Sequence, residues 1–333
     1  MKMEIKQAII HSLNAETGSL LCSQKTIDAD DNVTMQYIAK HMERFANDSE
    51  VINSSVELGS DSMSFLRRYL DNEVSLVDLS ISFAEAIFSF INKRGKGSSE
   101  YIFCELLMED KKCFGVLECD NKKGFTHYIT NNTNIVYNQI IQHHSILPAT
   151  SQRLASCALI NLSTWEAAYY EKPEYIDGND IYVLRDKVLN LQKSISPKET
   201  VRKVKGIVSQ LANQYGKNEA IAISQAKTYI AEKTEISSNL NTLELGMDLF
   251  CDSPAMQKEY IEQAKKAGLP DAITIKKEQA QKSTRVHKFS TDNGIEVTLP
   301  VDYLGNKDIV EFVNMPDGTI SIQLKNIVSI KNK

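Results

Sequence analysis

Long hydrophobic runs are missing from this chain of 333 residues. No stretch of about 18 apolar residues occurs, which argues against a transmembrane helix, and the start, MKMEIKQAIIHSLNAETG, predicts no signal peptide. The six cysteines are scattered and form no CxxC pair, so a disulfide framework is not expected. We expect free thiols and a cytoplasmic protein without contact with a membrane.

Fingerprints of catalysis and of nucleotide binding are also missing. The sequence has no GxGxxG and no GxxxxGK[ST] string, and its histidines lack partners at the spacing of metal ligands. Zinc-finger, basic-zipper and RNP-type aromatic signatures are absent as well. We therefore expect a protein that is not an enzyme, with no catalytic residue, metal or cofactor, and with no element built to read a DNA sequence.

Length favours two globular domains over one large domain, and the strand and helix patterns described below indicate the α+β class. A chain of 333 residues exceeds the size at which one hydrophobic core stops growing, and 42% apolar with 24% charged residues is average for globular proteins. The character of the sequence changes near residue 180. We expect a mixed N-terminal domain of β-hairpins and helices over 1–180, and over 181–333 a basic helical region followed by a small antiparallel β-meander.

Two hairpins are predicted in the first half. MEIKQAIIHSL and SLLCSQ flank the turn NAETG, and YIFCELLM and CFGVLECD flank the turn EDKK. A helix is predicted over Asn134–His144, and a strand near Ser156–Leu162.

Helical patterns dominate the second half. They predict helices over about 184–193, 197–215, 217–234, 241–250 and 254–267. From TRVHKFS to TISIQLKNI, apolar and polar residues alternate, which predicts the meander.

The two halves differ in charge. Residues 1–183 carry 16 Lys and Arg against 25 Asp and Glu, whereas residues 184–333 carry 22 against 18, in a chain of net charge −5. The segment 184–217 concentrates eight basic residues and two acidic ones. Such asymmetry is typical of a protein whose basic part binds a polyanion, although a surface that only keeps the protein soluble has the same pattern.

The segment SPKETVRKVKG, residues 196–206, carries a clear helix start. Ser196 suits the N-cap, Pro197 suits the first helical position, and Glu199 stands where a capping box requires it. The basic residues that follow are therefore expected on a helix.

The outward face of this helix is the predicted DNA-binding surface. At 100° per residue, Lys198, Arg202 and Lys205 fall on one stripe, beside an apolar stripe that runs from Val201 to Tyr215. A second basic cluster follows the helices. Double-stranded DNA would be held here by its phosphates, with steep salt dependence and low sequence specificity. The candidate DNA-binding residues are Arg185, Lys187, Lys193, Lys198, Arg202, Lys203, Lys205, Lys276, Lys277, Lys282, Arg285 and Lys288.

Segments along nearly the whole chain resemble one bacterial family. They are IKQAIIHSLN, ILPATSQRLASCALINL, YVLRDKVLNLQKSISPKETVRKV and GIEVTLPVDYLGNKDIVEFVNMPDGTISIQLKNI. In their order and extent they resemble the bacterial 37 kDa nucleoid-associated protein family, and the mass of 37.4 kDa agrees. The resemblance implies a cytoplasmic protein that travels with the nucleoid and binds DNA, directly or beside DNA-handling proteins. It brings no enzyme active site and identifies no DNA-contacting side chain.

Two alternative functions stay open at this level. In the first, the chain is a protein-interaction module that a DNA topology or replication protein recruits to the nucleoid. In the second, Glu105, Glu118, Asp120 and Lys122 form a metal-dependent nuclease centre, because carboxylates hold Mg²⁺ and a lysine can orient the attacking water. The oligomeric state, including a homodimer, is left open as well.

Overall fold

The computed structural model describes residues 3–94, 97–132, 135–176, 178–275, 286–290, 292–300, 303, 306, 308–315 and 319–329. Helices and antiparallel strands both contribute, which confirms the predicted α+β class. The chain divides into two compact units, residues 1–194 and 195–333, so the segment 181–194 belongs to the first. Among the residues given above, no helix is both long enough and apolar enough to cross a membrane.

A seven-stranded antiparallel sheet is the frame of the first unit. The strands of this unit are β1 (Met3–Asn14), β2 (Ser19–Cys22), β3 (Ile52–Ser55), β4 (Ser98–Met108), β5 (Lys111–Asp120), β6 (Lys122–Asn132), β7 (Ile135–Ile146), β8 (Ser156–Asn161), β9 (Glu166–Tyr170), β10 (Glu174–Ile176) and β11 (Asn179–Ile181). The order in the large sheet is β2-β1-β4-β5-β8-β9-β3. Both predicted hairpins, β1–β2 and β4–β5, are confirmed, and β8 is the strand expected near Ser156–Leu162.

Helices cover both faces of this sheet. They are α1 (Asn32–Ala46), α2 (Asp61–Leu70) and α3 (Leu76–Ile91). Because successive strand residues point to opposite faces, Ile9 and Phe103 join the core under α2 and α3, whereas their neighbours Ala8 and Cys104 join the core under α1. Burial on both faces explains why β4 and β5 have nearly continuous apolar sequences.

The core under α1 contains four of the six thiols. All six cysteines are free, as predicted. Burial raises the pKa of Cys113 to about 11 and those of Cys104 and Cys119 to about 12. The fourth, Cys157, is buried as well. These thiols remain protonated near neutral pH and act as small apolar side chains.

The segment predicted as a helix over Asn134–His144 is a strand, so that prediction is wrong. β7 pairs antiparallel with β6, and the two form a separate two-stranded sheet. In NIVYNQIIQHHSI the apolar residues also fall at helical spacing, but Ile, Val and Tyr prefer strands and β6 supplies the partner. His143 and His144 are consequently directed to opposite faces of the hairpin, and both are exposed.

The second unit begins with a bundle of helices. These are α4 (Pro197–Gln214), α5 (Glu219–Ile236), α6 (Thr242–Leu249) and α7 (Pro254–Lys266), which confirms four of the predicted helices. Their apolar faces share one core with the short paired strands β12 (Asn239–Asn241) and β13 (Ala272–Thr274).

The helix predicted over about 184–193 is replaced by a single π-helical turn, Val183–Val188, in the first unit. The Leu189 N–H donates to the Leu184 carbonyl oxygen at 2.8 Å, five residues back. Asn190 then takes a left-handed conformation, with φ of 47°. A longer helix cannot continue through that conformation.

The predicted C-terminal meander takes the form of two antiparallel hairpins. β14 (Val286–Ser290) pairs with β15 (Glu296–Pro300), and β16 (Val310–Asn314) pairs with β17 (Ile320–Leu324). Residues 276–285, which hold most of the second basic cluster, lie outside the described residues.

Candidate nucleic-acid interface

The start of α4 follows the capping signals of its sequence. Pro197 is its first residue, and the Ser196 Oγ accepts a hydrogen bond from the Glu199 N–H at 3.1 Å. In a capping box the Glu199 carboxylate would accept from the Ser196 N–H. Here it accepts two hydrogen bonds from Arg202, at 2.8 Å from Nε and 2.7 Å from Nη2. This pair fixes the guanidinium on the first two turns of the helix, next to the N-terminus.

Burial separates the apolar and basic faces of α4. Val201, Val204, Val208 and Leu211 are buried in the core of the second unit. Tyr215 is exposed and donates its hydroxyl to the Glu259 carboxylate, so the apolar stripe ends one turn earlier than predicted. On the neighbouring side of the helix, the basic side chains reach solvent: Lys198 and Arg202 are exposed and Lys205 is half-buried.

Lys203 joins the basic turn of α4 to the end of α7. Its Nζ donates to the Ala267 carbonyl oxygen at 2.7 Å, and Ala267 is the C-cap of α7. An ammonium is favourable there because the helix dipole leaves partial negative charge at the C-terminus. The contact brings the exposed Lys265 and Lys266 beside the basic turn. These two lysines were not predicted from the sequence, because basic residues in the last turn of a helix are common. Only the packing of α7 on α4 makes them neighbours of Lys203.

A buried lysine connects α5 with β14. Lys227 is only 4% exposed, and its Nζ donates to the Val286 carbonyl oxygen at 2.9 Å. Burial, with a smaller contribution from the charge of Lys205, lowers the pKa of Lys227 to about 8. Lys205 on α4, Lys227 on α5 and the start of β14 are therefore neighbours. Two residues further along β14, Lys288 is exposed.

The predicted basic residues of the first unit differ in availability. Arg185 donates to both carboxylate oxygens of Asp186, at 2.6 and 2.7 Å, and its guanidinium lies 3.9 Å from the centre of the Tyr182 ring. If Arg185 left this half-buried pair to bind a ligand, the Asp186 carboxylate would lose its counter-charge. Lys187 and Lys193 are exposed. Lys276, Lys277, Lys282 and Arg285 lie outside the described residues.

The carboxylates of the nuclease alternative belong to two separate networks. Glu105 accepts a hydrogen bond from the Tyr69 hydroxyl and pairs with Lys112 at 2.8 Å. Glu118 accepts hydrogen bonds from Ser99 and Ser156, at 3.2 and 2.6 Å.

The strand register shows why these networks do not meet. Glu105 lies opposite Phe114, whereas Glu118 lies opposite Tyr101. Four residues along a strand correspond to about 13 Å, which is too far for one metal ion. Across the part of the chain that the structure describes, no three His, Cys, Asp or Glu side chains form a group that could hold a metal ion. Lys122 donates to Gln152, at 3.1 Å, and not to the carboxylates.

A partly buried carboxylate lies at the start of the π-helical turn. Glu171 accepts hydrogen bonds from the backbone N–H groups of Leu184 and Arg185, at 2.7 and 3.0 Å. Its side chain shares a pocket with Glu118, Asp120 and Glu174. Desolvation, the largest effect, raises the pKa of Glu171 to about 7, and the two N–H donors oppose that rise.

The raised pKa of Glu171 predicts that the stability of the first unit depends on pH. Its pKa is near 4.5 in an unfolded chain and about 7 in the fold, so the folded state retains the proton more strongly. Its contribution to stability is complete below about pH 4.5 and is lost as the pH rises through about 7. The shift corresponds to at most about 3 kcal/mol, and partial exposure reduces this to about 1–2 kcal/mol.

Urea unfolding of the first unit, followed by the fluorescence of Trp165, measures this effect. Between about pH 5.5 and pH 8, the wild type should lose about 1–2 kcal/mol more stability than the variant Glu171→Gln. Glu57→Gln, at an exposed position of the same unit, should retain the wild-type pH profile. Identical profiles for the wild type and Glu171→Gln would contradict the assignment.

Comparison with known families gives the class of this protein. Residues 9–331 match a family of nucleoid-associated proteins. The family is described as nucleoid-associated protein YejK (NA37), and since the match spans both compact units, the chain belongs to it. This confirms the resemblance. A comparison with curated proteins returned no match.

Proposed function

We propose that this nucleoid-associated protein acts in the cytoplasm without catalytic activity and binds double-stranded DNA directly, with low sequence specificity. The observation that supports the proposal is that basic residues of α4 have lysine-bearing elements of the second unit beside them, with the end of α7 next to Lys203 and the α5 residue Lys227, which contacts β14, near Lys205. The exposed Lys265 and Lys266 lie at the end of α7, and the exposed Lys288 lies two residues beyond Val286 on β14. We call these exposed and half-buried residues together the α4 basic surface: Lys198, Arg202, Lys203, Lys205, Lys265, Lys266 and Lys288.

Local charge is what matters for such binding. The whole chain carries a net charge of −5 and repels DNA at long range. At physiological salt, charges are screened beyond about 8 Å, so a phosphate at the α4 basic surface is attracted mainly by the side chains beside it. Phosphate contacts position a protein on DNA but do not read its sequence, which gives the low specificity.

Titration of the purified full chain with a short bare duplex, followed by fluorescence anisotropy, tests the proposal. Four to five phosphate contacts predict that affinity falls by about 100-fold or more between about 50 and 200 mM salt. Duplexes of unrelated sequence should bind within about threefold of one another. Absence of binding even at low salt would overturn direct contact.

The same mixture tests the absence of catalysis. Incubation of the duplex with the protein and Mg²⁺, or Mn²⁺, should leave the DNA intact. Cleavage that is lost in the variant Glu118→Gln would instead support the nuclease alternative.

Recruitment by a protein partner is the second candidate function. It is favoured by the internal contacts of the basic residues, because Arg202 is paired with Glu199 and Lys203 is bound to a backbone carbonyl. A chain that binds no bare DNA, but joins DNA when a DNA topology or replication protein is present, would fit this candidate.

A further inference from the structure

The hairpin of β14 and β15 carries Lys288 but buries little of its own surface. Its two strands pair with each other and form a sheet of two. Among its side chains that the structure describes, Val297 and Leu299 are half-buried and the rest are exposed. A two-stranded hairpin is at best marginally stable in water. The position of Lys288 therefore depends on contacts between this hairpin and the rest of the second unit.

Lys227 of α5 makes one such contact. Its Nζ donates to the Val286 carbonyl oxygen at 2.9 Å, and its side chain is only 4% exposed. Its neighbours on α5, Ala226 and Ile230, lie in the core of the second unit. The hydrogen bond therefore ties the first residue of β14 to a side chain that is anchored in the helical bundle.

The register of the hairpin makes the Val286 carbonyl available for this bond. Val286 lies opposite Pro300. Proline has no backbone N–H, so Pro300 cannot donate to that carbonyl across the strands. A hydrogen bond from an ammonium is stronger than one from a neutral donor. Lys227 thus supplies a donor at a place where the opposite strand cannot.

The same bond brings two cations of the α4 basic surface near one anchor. Lys205 on α4 is close enough to Lys227 for its charge to act on it. Lys288 stands two residues after Val286, which corresponds to about 7 Å along a strand, and its side chain is exposed. A fixed position favours a phosphate contact by Lys288, because less conformational entropy is lost on binding.

An ammonium is a costly choice for this buried position if it serves stability alone. Burial of a charged group costs free energy, and an apolar side chain of similar volume is often neutral or stabilising in its place. Desolvation, the largest effect on its titration, lowers the pKa of Lys227 to about 8, in agreement with that cost. A methionine would fill the same space without the penalty, but it could not donate to Val286.

We infer that Lys227 is a positioning residue for DNA binding, which holds the β14–β15 hairpin so that Lys288 contacts the phosphates of a duplex bound at the α4 basic surface. Lys227 is buried and does not touch the DNA itself. The inference rests on the proposed function, because it assigns a role within the same surface.

The variant Lys227→Met tests the inference, since it keeps the length of the side chain and removes its donor. Amide hydrogen exchange of peptides from 286–300 should become at least about tenfold faster, whereas protection of α4 to α7 should be unchanged or higher. Affinity for a bare duplex at about 100 mM salt should fall by about fivefold or more, and the salt slope should become shallower by about one. A role in stability alone would instead reduce protection of the helices.

Lys233→Met is the matched control, because it removes the same charge from an exposed position of the same helix. It should leave protection of the hairpin unchanged and alter affinity by less than about twofold. Lys227→Arg, which keeps a charged donor, should recover most of the affinity. A double-mutant cycle adds a specific readout. Lys288→Gln should lower affinity by about fivefold in the wild type but by less than about twofold in Lys227→Met.

The outcomes separate this inference from the proposed function. If the wild type binds no bare duplex, direct DNA binding is wrong and the inference falls with it. If the wild type binds, the inference alone is overturned by unchanged protection of the hairpin in Lys227→Met, or by a loosened hairpin without loss of affinity. Equal losses from Lys288→Gln in both backgrounds would overturn it as well.

Discussion

Reversing three charges of α4 is expected to weaken binding of bare duplex DNA by about 100-fold or more at about 100 mM salt. The variant combines Lys198→Glu, Arg202→Glu and Lys205→Glu. Each lost phosphate contact removes about one unit from the slope of log affinity against log salt, so the slope should become shallower by about three. The introduced carboxylates also repel the phosphates that the native cations attract.

The fold should tolerate this change. Arg202 has a side chain that is 75% exposed, and exposed ion pairs such as Arg202–Glu199 contribute about 0–1 kcal/mol. A carboxylate at position 198 is favourable because it lies in the first turn of α4, where the helix dipole is positive.

The control reverses three exposed lysines of the first unit, Lys25→Glu, Lys40→Glu and Lys93→Glu, and gives the same change in net charge. It should lower affinity by less than about fivefold, because screened distant charges act weakly. Equal losses in the two variants would mean that net charge governs binding. No loss in the α4 variant would show that DNA, if bound, is bound elsewhere.

A single methyl group at Gly246 is expected to destabilise the second unit by about 3 kcal/mol or more. Gly246 lies in α6, and a Cβ there would lie 2.0, 2.4 and 2.6 Å from three carbons of the Tyr260 ring. Tyr260 is fully buried, and its hydroxyl donates to the Thr242 carbonyl oxygen at 3.1 Å. The ring therefore cannot move aside without losing core contacts and that hydrogen bond.

Gly206→Ala is the matched control, since it makes the same substitution in another helix of the same unit. A Cβ at Gly206 meets nothing within 4 Å, so alanine should stabilise α4 by up to about 1 kcal/mol through helix propensity. Amide hydrogen exchange of peptides from α4 to α7 measures both effects within the unit. Unchanged protection in Gly246→Ala would contradict the packing described here.

Local signals in the sequence predicted elements whose start or partner lies nearby. The cap at Ser196 placed α4, and the turns NAETG and EDKK placed two hairpins. The helix prediction over Asn134–His144 was wrong because its apolar residues fit both the helical and the strand period. The choice between the two depended on pairing with β6. The helix predicted over about 184–193 was wrong because the left-handed conformation of Asn190, and not apolar periodicity, decides where the turn at Val183–Val188 ends.

The candidate site was predicted in part for the same reason. The outward face of α4 follows from 3.6-residue periodicity, which is local. Lys265 and Lys266 could not be predicted, because nothing in the sequence states that α7 ends beside Lys203. The sequence also could not show that Arg185 is paired with Asp186. Nor could it show that about 13 Å along the strands separates Glu105 from Glu118.

The sequence by itself determined the α+β class, the family, the absence of long apolar segments and the amphipathic character of α4, since each depends on composition or on residues close along the chain. The tertiary structure alone decided which lysines become neighbours, which cations are already paired, and that Ile135–Ile146 is a strand paired with β6. These outcomes depend on contacts between residues far apart in sequence, whose energies no local pattern encodes.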